Sequence, residues 1–217
     1  MPWPSNAYSG DADPLVLLVP GLNDSGPNQW QTHWEREVPG CERVDLGRWD
    51  DPHRNTWVNK LNLAIHQAGR PVILVAHSLG CHVVAWWNEY ERPDANGPVQ
   101  GALLVAPPEV EGEAVDPRLG RFAPVMRAAM PFPSILAASR DDPYIAFGRA
   151  RRLARIWKSR FVDAGWLSHI NAESAIGDWP FGQFLMRHLR SALVPEPAPF
   201  TRPRSFAALV AGAATPA

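Results

Sequence analysis

The stretch that decides the fold runs from Pro71 to Trp87 and reads PVILVAHSLGCHVVAWW. An apolar run over 71–76 ends in Ala76-His77-Ser78-Leu79-Gly80, and a longer apolar stretch follows at once. The short run, rich in Val, Ile and Leu, fits a buried strand, and the longer one fits a helix. Strand, tight turn and helix around a small-x-Ser-x-Gly core form the pattern of a nucleophile elbow. At such an elbow the chain reverses so sharply that the serine adopts a strained backbone. Side chains two positions before and after it would collide with the neighbouring strand and helix. Gly80 meets that demand behind the serine. Ala76 stands where the pattern usually has glycine, and alanine carries the smallest side chain. The turn lifts the Ser78 hydroxyl above the sheet and sets it at a helix N-terminus, where the Leu79 N–H is free to hold an oxyanion. A serine that merely caps a helix would give the same local pattern, so the rest of the chain has to decide.

Outward from the elbow, further apolar runs of strand length lie at 15–19, 99–105, 134–138 and 160–163, with a weaker one at 42–46. They are nearly continuous in Val, Leu, Ile and Ala, as expected of strands covered on both faces of a parallel sheet. Helical patterns fall between them at 27–38, 55–68, 79–90, 144–157 and 181–194, the first opening with Pro27 at its first helical position. Strand and helix alternate with short connections, which predicts a doubly wound α/β sheet of about six strands with helices on both faces. The stretch 107–133 is richer in Pro, Glu and Gly and reads as an excursion, a small cap at most. Residues 1–194 are read as one domain and 195–217, rich in Pro and Ala, as a C-terminal tail.

Composition narrows the function. The formal net charge of −1 leaves no basic footprint for nucleic acid. Arg149, Arg151, Arg152 and Arg155 fall at helical spacing and read as a solvated face. The two cysteines, Cys41 and Cys81, form no CxxC pair, so neither a disulfide framework nor a zinc site is expected. No stretch has the make-up of a signal peptide or a membrane span. A cytoplasmic protein without nucleic-acid or membrane partners is the expectation.

Folds with this elbow place nucleophile, acid and histidine in that chain order. Of the seven histidines (His33, His53, His66, His77, His82, His169 and His188), only the last two lie far beyond the elbow. His188 falls within a helical pattern and reads as a half-buried structural residue. His169 lies in a loop directly after the 160–163 run, and loops at the carboxyl edge of a sheet gather catalytic side chains. His169 is therefore the expected base. The acid should follow the preceding strand, where Ser139-Arg140-Asp141-Asp142-Pro143 stands. A carboxylate there would fix the imidazole tautomer and stabilise the imidazolium. Asp142 is the first candidate, although its place before Pro143 also suits a helix cap; Asp141 is the second and Asp163 the third. After the first strand, Pro20-Gly21-Leu22-Asn23 is placed to offer a second oxyanion donor, the Leu22 N–H, beside that of Leu79. Trp30, Trp34 and His33 share one face of the following helix and read as core more readily than as pocket.

Four separated segments, VPGLNDSGPNQWQTHWE, VAHSLGCHVVAWW, ASRDDPY and FVDAGWLSHINAESAIGDWPFG, together resemble the small serine hydrolases of the retinoblastoma-binding protein 9 family, in particular its bacterial branch. The resemblance spans about 14–193. It implies a compact α/β-hydrolase fold without a large lid and a triad of Ser78, Asp142 and His169. An acidic residue or Asn followed by Asp-Pro is the family pattern, which favours Asp142 over Asp141. Ser168 replaces the glycine common before the histidine. The LxCxE sequence used by some partners of the retinoblastoma protein is incomplete here, because Leu79-Gly80-Cys81-His82-Val83 lacks the final Glu. The implied activity is esterase-type hydrolysis of a small acyl substrate through an acyl-enzyme, with no cofactor and no metal. A non-catalytic protein-binding module on the same scaffold is the alternative, since fold does not dictate function.

Overall fold

The computed structural model describes residues 13–112 and 116–193. The expected tail at 195–217 lies outside the described residues. Six strands, β1 (Leu15–Val19), β2 (Cys41–Arg43), β3 (Val72–His77), β4 (Val99–Val105), β5 (Ser134–Ala138) and β6 (Arg160–Asp163), form one sheet in the order β2-β1-β3-β4-β5-β6. Every neighbouring pair is parallel. The helices are α1 (Trp30–Glu37), α2 (Arg54–Gln67), α3 (Leu79–Glu91), α4 (Phe147–Ile156) and α5 (Pro180–Leu193).

The continuous apolar strands are explained by two cores, one on each face. Leu15, Leu17, Leu74, Ala76, Leu104 and Leu136 point to the side covered by α2, α3 and α4. Their alternating neighbours Val16, Leu18, Ile73, Val75, Leu103 and Ile135 point to the side covered by α1 and α5. Successive strand residues face opposite ways, so a strand with both faces covered must be apolar throughout. Truncating one such residue, for example Leu74→Ala, removes about 2–5 kcal/mol of stability. Among the described residues no helix is long and apolar enough to cross a membrane.

Helix α3 is buried from Leu79 to Asn88 without a break. A helix apolar on every side needs cover on every side. The sheet lies beneath it, α2 beside it, and residues 119–129 of the excursion over it. Trp86 donates to the Phe122 carbonyl at 2.8 Å and Asn88 to that of Ala129 at 3.2 Å. The excursion thus serves mainly as a coat for α3, and no large lid covers the carboxyl edge of the sheet among the described residues.

Two boundaries depart from expectation. Helix α1 begins at Trp30 rather than Pro27, because residues 26–29 close a turn and the Gln29 side chain then accepts from the Trp30 N–H at 3.1 Å. Strand β2 covers Cys41–Arg43, not 42–46, because Leu46 N–H bonds back to the Val44 carbonyl and the chain leaves the sheet. The strand order also places the site. From β1 the chain moves out to the edge strand β2, and from β3 it moves the other way. The loops after β1 and β3 therefore diverge and open a crevice at their carboxyl ends.

Candidate active site

Ser78 follows β3 with φ 53° and ψ −126°, a backbone rarely adopted by a side chain-bearing residue. The turn is held by close backbone packing. A Cβ on Gly80 would lie 2.3 Å from the Val19 carbonyl oxygen and 2.6 Å from that of Pro20. A Cβ on Gly21 would lie 2.7 Å from the Ser78 Cβ and 3.1 Å from the Leu79 nitrogen. The β1 loop and the elbow thus touch where only glycines fit. Leu79 is the first residue of α3, so its N–H has no intrahelical acceptor. Leu22 lies one residue beyond the Gly21 contact and lines the same cleft as Ser78.

The Ser78 Oγ is 2.8 Å from His169 Nε2, and His169 Nδ1 is 2.9 Å and 3.0 Å from the two carboxylate oxygens of Asp142. A carboxylate only accepts, so the imidazole proton sits on Nδ1 and the Nε2 lone pair faces the serine hydroxyl, which donates to it. The Asp142 side chain is fully buried. It also accepts from the Tyr144 N–H at 2.9 Å. It does not cap α4, whose N-cap is Ala146. The Tyr144 ring packs on the imidazole, with centroids 4.3 Å apart.

The structure gives the other two acids different places. Asp141 accepts from the Ser139 hydroxyl at 2.6 Å and from the Ser168 N–H at 2.9 Å, and these bonds, the serine hydroxyl foremost, hold its pKa below the usual carboxylate range. It ties the β5 loop to the residue before His169. Ser139 adds a second tie by accepting from the Leu167 N–H at 2.8 Å. Asp163 pairs with Arg140 on the surface and caps the Gly165 N–H. His188 is exposed rather than half-buried, 3.3 Å from Arg160, because the core stripe of α5 runs through Leu185, Met186 and Leu189. His33 lies apart at 3.3 Å from Arg36, while Trp30 and Trp34 are fully buried. Of the four arginines on α4, Arg149 departs from a plain solvated face by pairing with Glu109 and Glu111.

Three side chains complete the surroundings: His77, which the sequence pattern did not single out, and Trp30 and Trp34, which it read as core. His77 lies between Gln29 and the His169 carbonyl. Trp30 Nε1 donates to the Ile170 carbonyl at 2.9 Å, and Trp34 Nε1 to that of Asp178 at 2.6 Å. A histidine directly before the nucleophile was the one available signal. The tryptophan donors could not be found without knowing which loop α1 meets. Above Ser78 lies an open cleft of about 280 Å³ bounded by Leu22, Asn23, Leu119, Tyr144 and Asn171, with Asp24, Asp116 and Glu173 on its walls. Asp24 is paired with Arg43 and Asp116 with Arg118. Among the described residues no cluster of three or more His, Cys, Asp or Glu could hold a metal ion.

The profile of a family described as serine hydrolase matches residues 16–188. No curated protein matches the chain. A solved structure described as a YdeN-like hydrolase from Pectobacterium atrosepticum is 31% identical, covers 83% of this chain and 92% of its own, and superposes with a TM-score of 0.72. The ydeN gene product of B. subtilis, at 17% identity, 82% and 100% coverage and a TM-score of 0.64, shares the fold. So does a hydrolase of the α/β superfamily from Xanthomonas campestris, at 22% identity, 81% and 99% coverage and a TM-score of 0.53.

Proposed function

The chain belongs to the serine hydrolase family, and from that premise we propose that it hydrolyses small esters through an acyl-enzyme on Ser78, as a member of the bacterial branch resembling retinoblastoma-binding protein 9. The observation that carries this reading is the unbroken relay from Asp142 through His169 to the Ser78 hydroxyl, all within 3.0 Å steps. As Ser78 Oγ attacks the acyl carbonyl carbon, its proton passes to His169 Nε2. Asp142 holds the imidazolium that forms. The Leu22 and Leu79 N–H groups receive the charge that develops on the carbonyl oxygen. Removing one such donor typically costs about 2.7–4 kcal/mol of barrier. Collapse breaks the bond to the leaving group, which takes the proton from His169. Water then attacks the acyl-Ser78 ester, giving its proton to His169, and the acid leaves with Ser78 restored. No step calls for a metal or an organic cofactor.

A cleft of about 280 Å³ with polar walls favours short acyl chains. Thioesters and amides would use the same relay. Two buried thiols, Cys41 and Cys81, fit a reducing compartment, and a cytoplasmic setting is part of the proposal. The test is labelling with a fluorophosphonate, followed by a panel of esters graded by chain length. Labelling of wild type that vanishes in Ser78→Ala, with an optimum at short chains, is expected. Wild type that takes no label would overturn the catalytic reading and favour a binding protein on this scaffold.

A further inference from the structure

His77 immediately precedes the nucleophile, and it is buried and sits beneath the base. Its Nε2 is 3.0 Å from the backbone carbonyl oxygen of His169. A carbonyl only accepts, so His77 carries its proton on Nε2 and donates it there. Its Nδ1 then accepts from the Gln29 side-chain amide at 3.4 Å, which selects the same tautomer. The Trp30 ring stands edge-on to the His77 imidazole, with centroids 5.9 Å apart, and the His169 ring lies 5.1 Å away. Burial pushes the His77 pKa down to about 3, so the ring stays neutral across ordinary pH and keeps this arrangement.

The loop this contact holds needs holding. Ser168, Ile170, Ala175 and Trp179 all have positive φ, between 47° and 51°, without being glycine. Such residues are strained and persist only where the surroundings over-determine them. The adjacent carbonyl, that of Ile170, is held by Trp30. The contact from His77 differs from the tryptophan ties in one respect. It comes from the residue bonded directly to Ser78, so one side chain and one peptide unit link nucleophile and base. Little slack can accumulate across so short a path.

We propose that His77 is a positioning residue for the hydrolysis, donating to the His169 carbonyl so that the imidazole Nε2 stays within reach of the Ser78 hydroxyl. The inference rests on the reading of His169 as the base. A drift of about 1 Å between reacting groups can cost about a hundredfold in rate. In His77→Leu, kcat for a short-chain ester is expected to fall by about tenfold to a hundredfold with KM nearly unchanged, and fluorophosphonate labelling slows in step. The far-downfield proton resonance of the His169 Nδ1–H, shared with Asp142, broadens or shifts. His77→Gln, whose amide nitrogen can replace Nε2, restores most of kcat. A merely structural role would lower the melting temperature without moving kcat or that resonance in the folded protein. Wild-type kcat in folded His77→Leu, or equal losses in the Leu and Gln variants, overturns the inference. Should His77→Leu not fold, Gln29→Met decides, with a lower kcat at constant KM supporting the inference and a wild-type kcat overturning it. Wild type that takes no label at Ser78 overturns both this inference and the catalytic reading; label on wild type with no effect at His77 overturns this inference alone.

Discussion

Adding one methyl group at Gly80 tests how the two halves of the site are joined. The new Cβ would lie 2.3 Å from the Val19 carbonyl oxygen and 2.6 Å from that of Pro20, whereas ordinary contact begins near 3.4 Å. Both obstacles are backbone, so no side chain can rotate away. The end of β1 must retreat from the elbow by about 1 Å, and it carries Gly21 and Leu22 with it. With the movement taken on the β1 side, the Ser78–His169 contact stays and the Leu22 N–H moves away from the Leu79 N–H. A misplacement of about 1 Å is worth about a hundredfold in rate, or about 2.7 kcal/mol of barrier. Overpacking also removes about 1–3 kcal/mol of stability, which leaves most of a typical 5–15 kcal/mol margin. Gly80→Ala should therefore fold and hydrolyse a short-chain ester about a hundredfold more slowly in kcat/KM, with denaturant melts to confirm the folded state. A folded variant within about threefold of wild type would refute both the steric argument and the placing of an oxyanion donor on the β1 loop.

Asp142→Asn removes the carboxylate that fixes the His169 tautomer and should lower kcat by about 10⁴-fold, whereas Asp141→Asn loosens a loop tie and should lower it far less; equal losses in an ester assay would contradict the choice between the two. Burial pushes the pKa of His77 to about 3 and of His82 to about 4, so between those values and 6.5 the unfolded chain binds more protons than the folded one. Stability is then full above about pH 6.5 and falls with pH, by about 4 kcal/mol for the two together between pH 7 and pH 5; urea melts with equal midpoints at both pH values would refute this. Trp30→Phe leaves the Ile170 carbonyl without its donor and should cost about 1–3 kcal/mol in the same melts.

Much of this was legible in the sequence for a physical reason. Strands covered on both faces must be apolar throughout, so β1, β4 and β5 stand out with their exact limits, whereas the edge strand β6, RFVD, is exposed at both ends and owes its matching limits to the turn residues around it. The elbow is legible because sterics leave so few residues able to occupy positions 76 and 80. Chain order then leaves His169 as the base. The choice between Asp141 and Asp142 was not legible from the residues themselves, because two adjacent carboxylates at a strand end differ only in direction. One turns inward to the imidazole and the other across to Ser168. The start of α1 escaped because Pro27 has a good φ for a helix but sits in a turn closed by Gly26 and Gln29. The roles of Gln29, His77 and Trp30 depend on contacts across 48, 92 and 140 positions, which no local pattern encodes.

Among the described residues, the 107–133 excursion lies mostly against α3 and reaches the cleft only through Asp116 and Leu119, so the cleft stays open to solvent. On the proposed mechanism, an acyl group resting on Ser78 would be met first by the most abundant acceptor in the cell. Water would out-compete alcohols and amines by sheer number, since among the described residues nothing closes over the cleft while a second molecule finds its place. On that mechanism the open cleft favours cleavage over transfer, and a synthetic catalyst on this frame would first need a fuller roof.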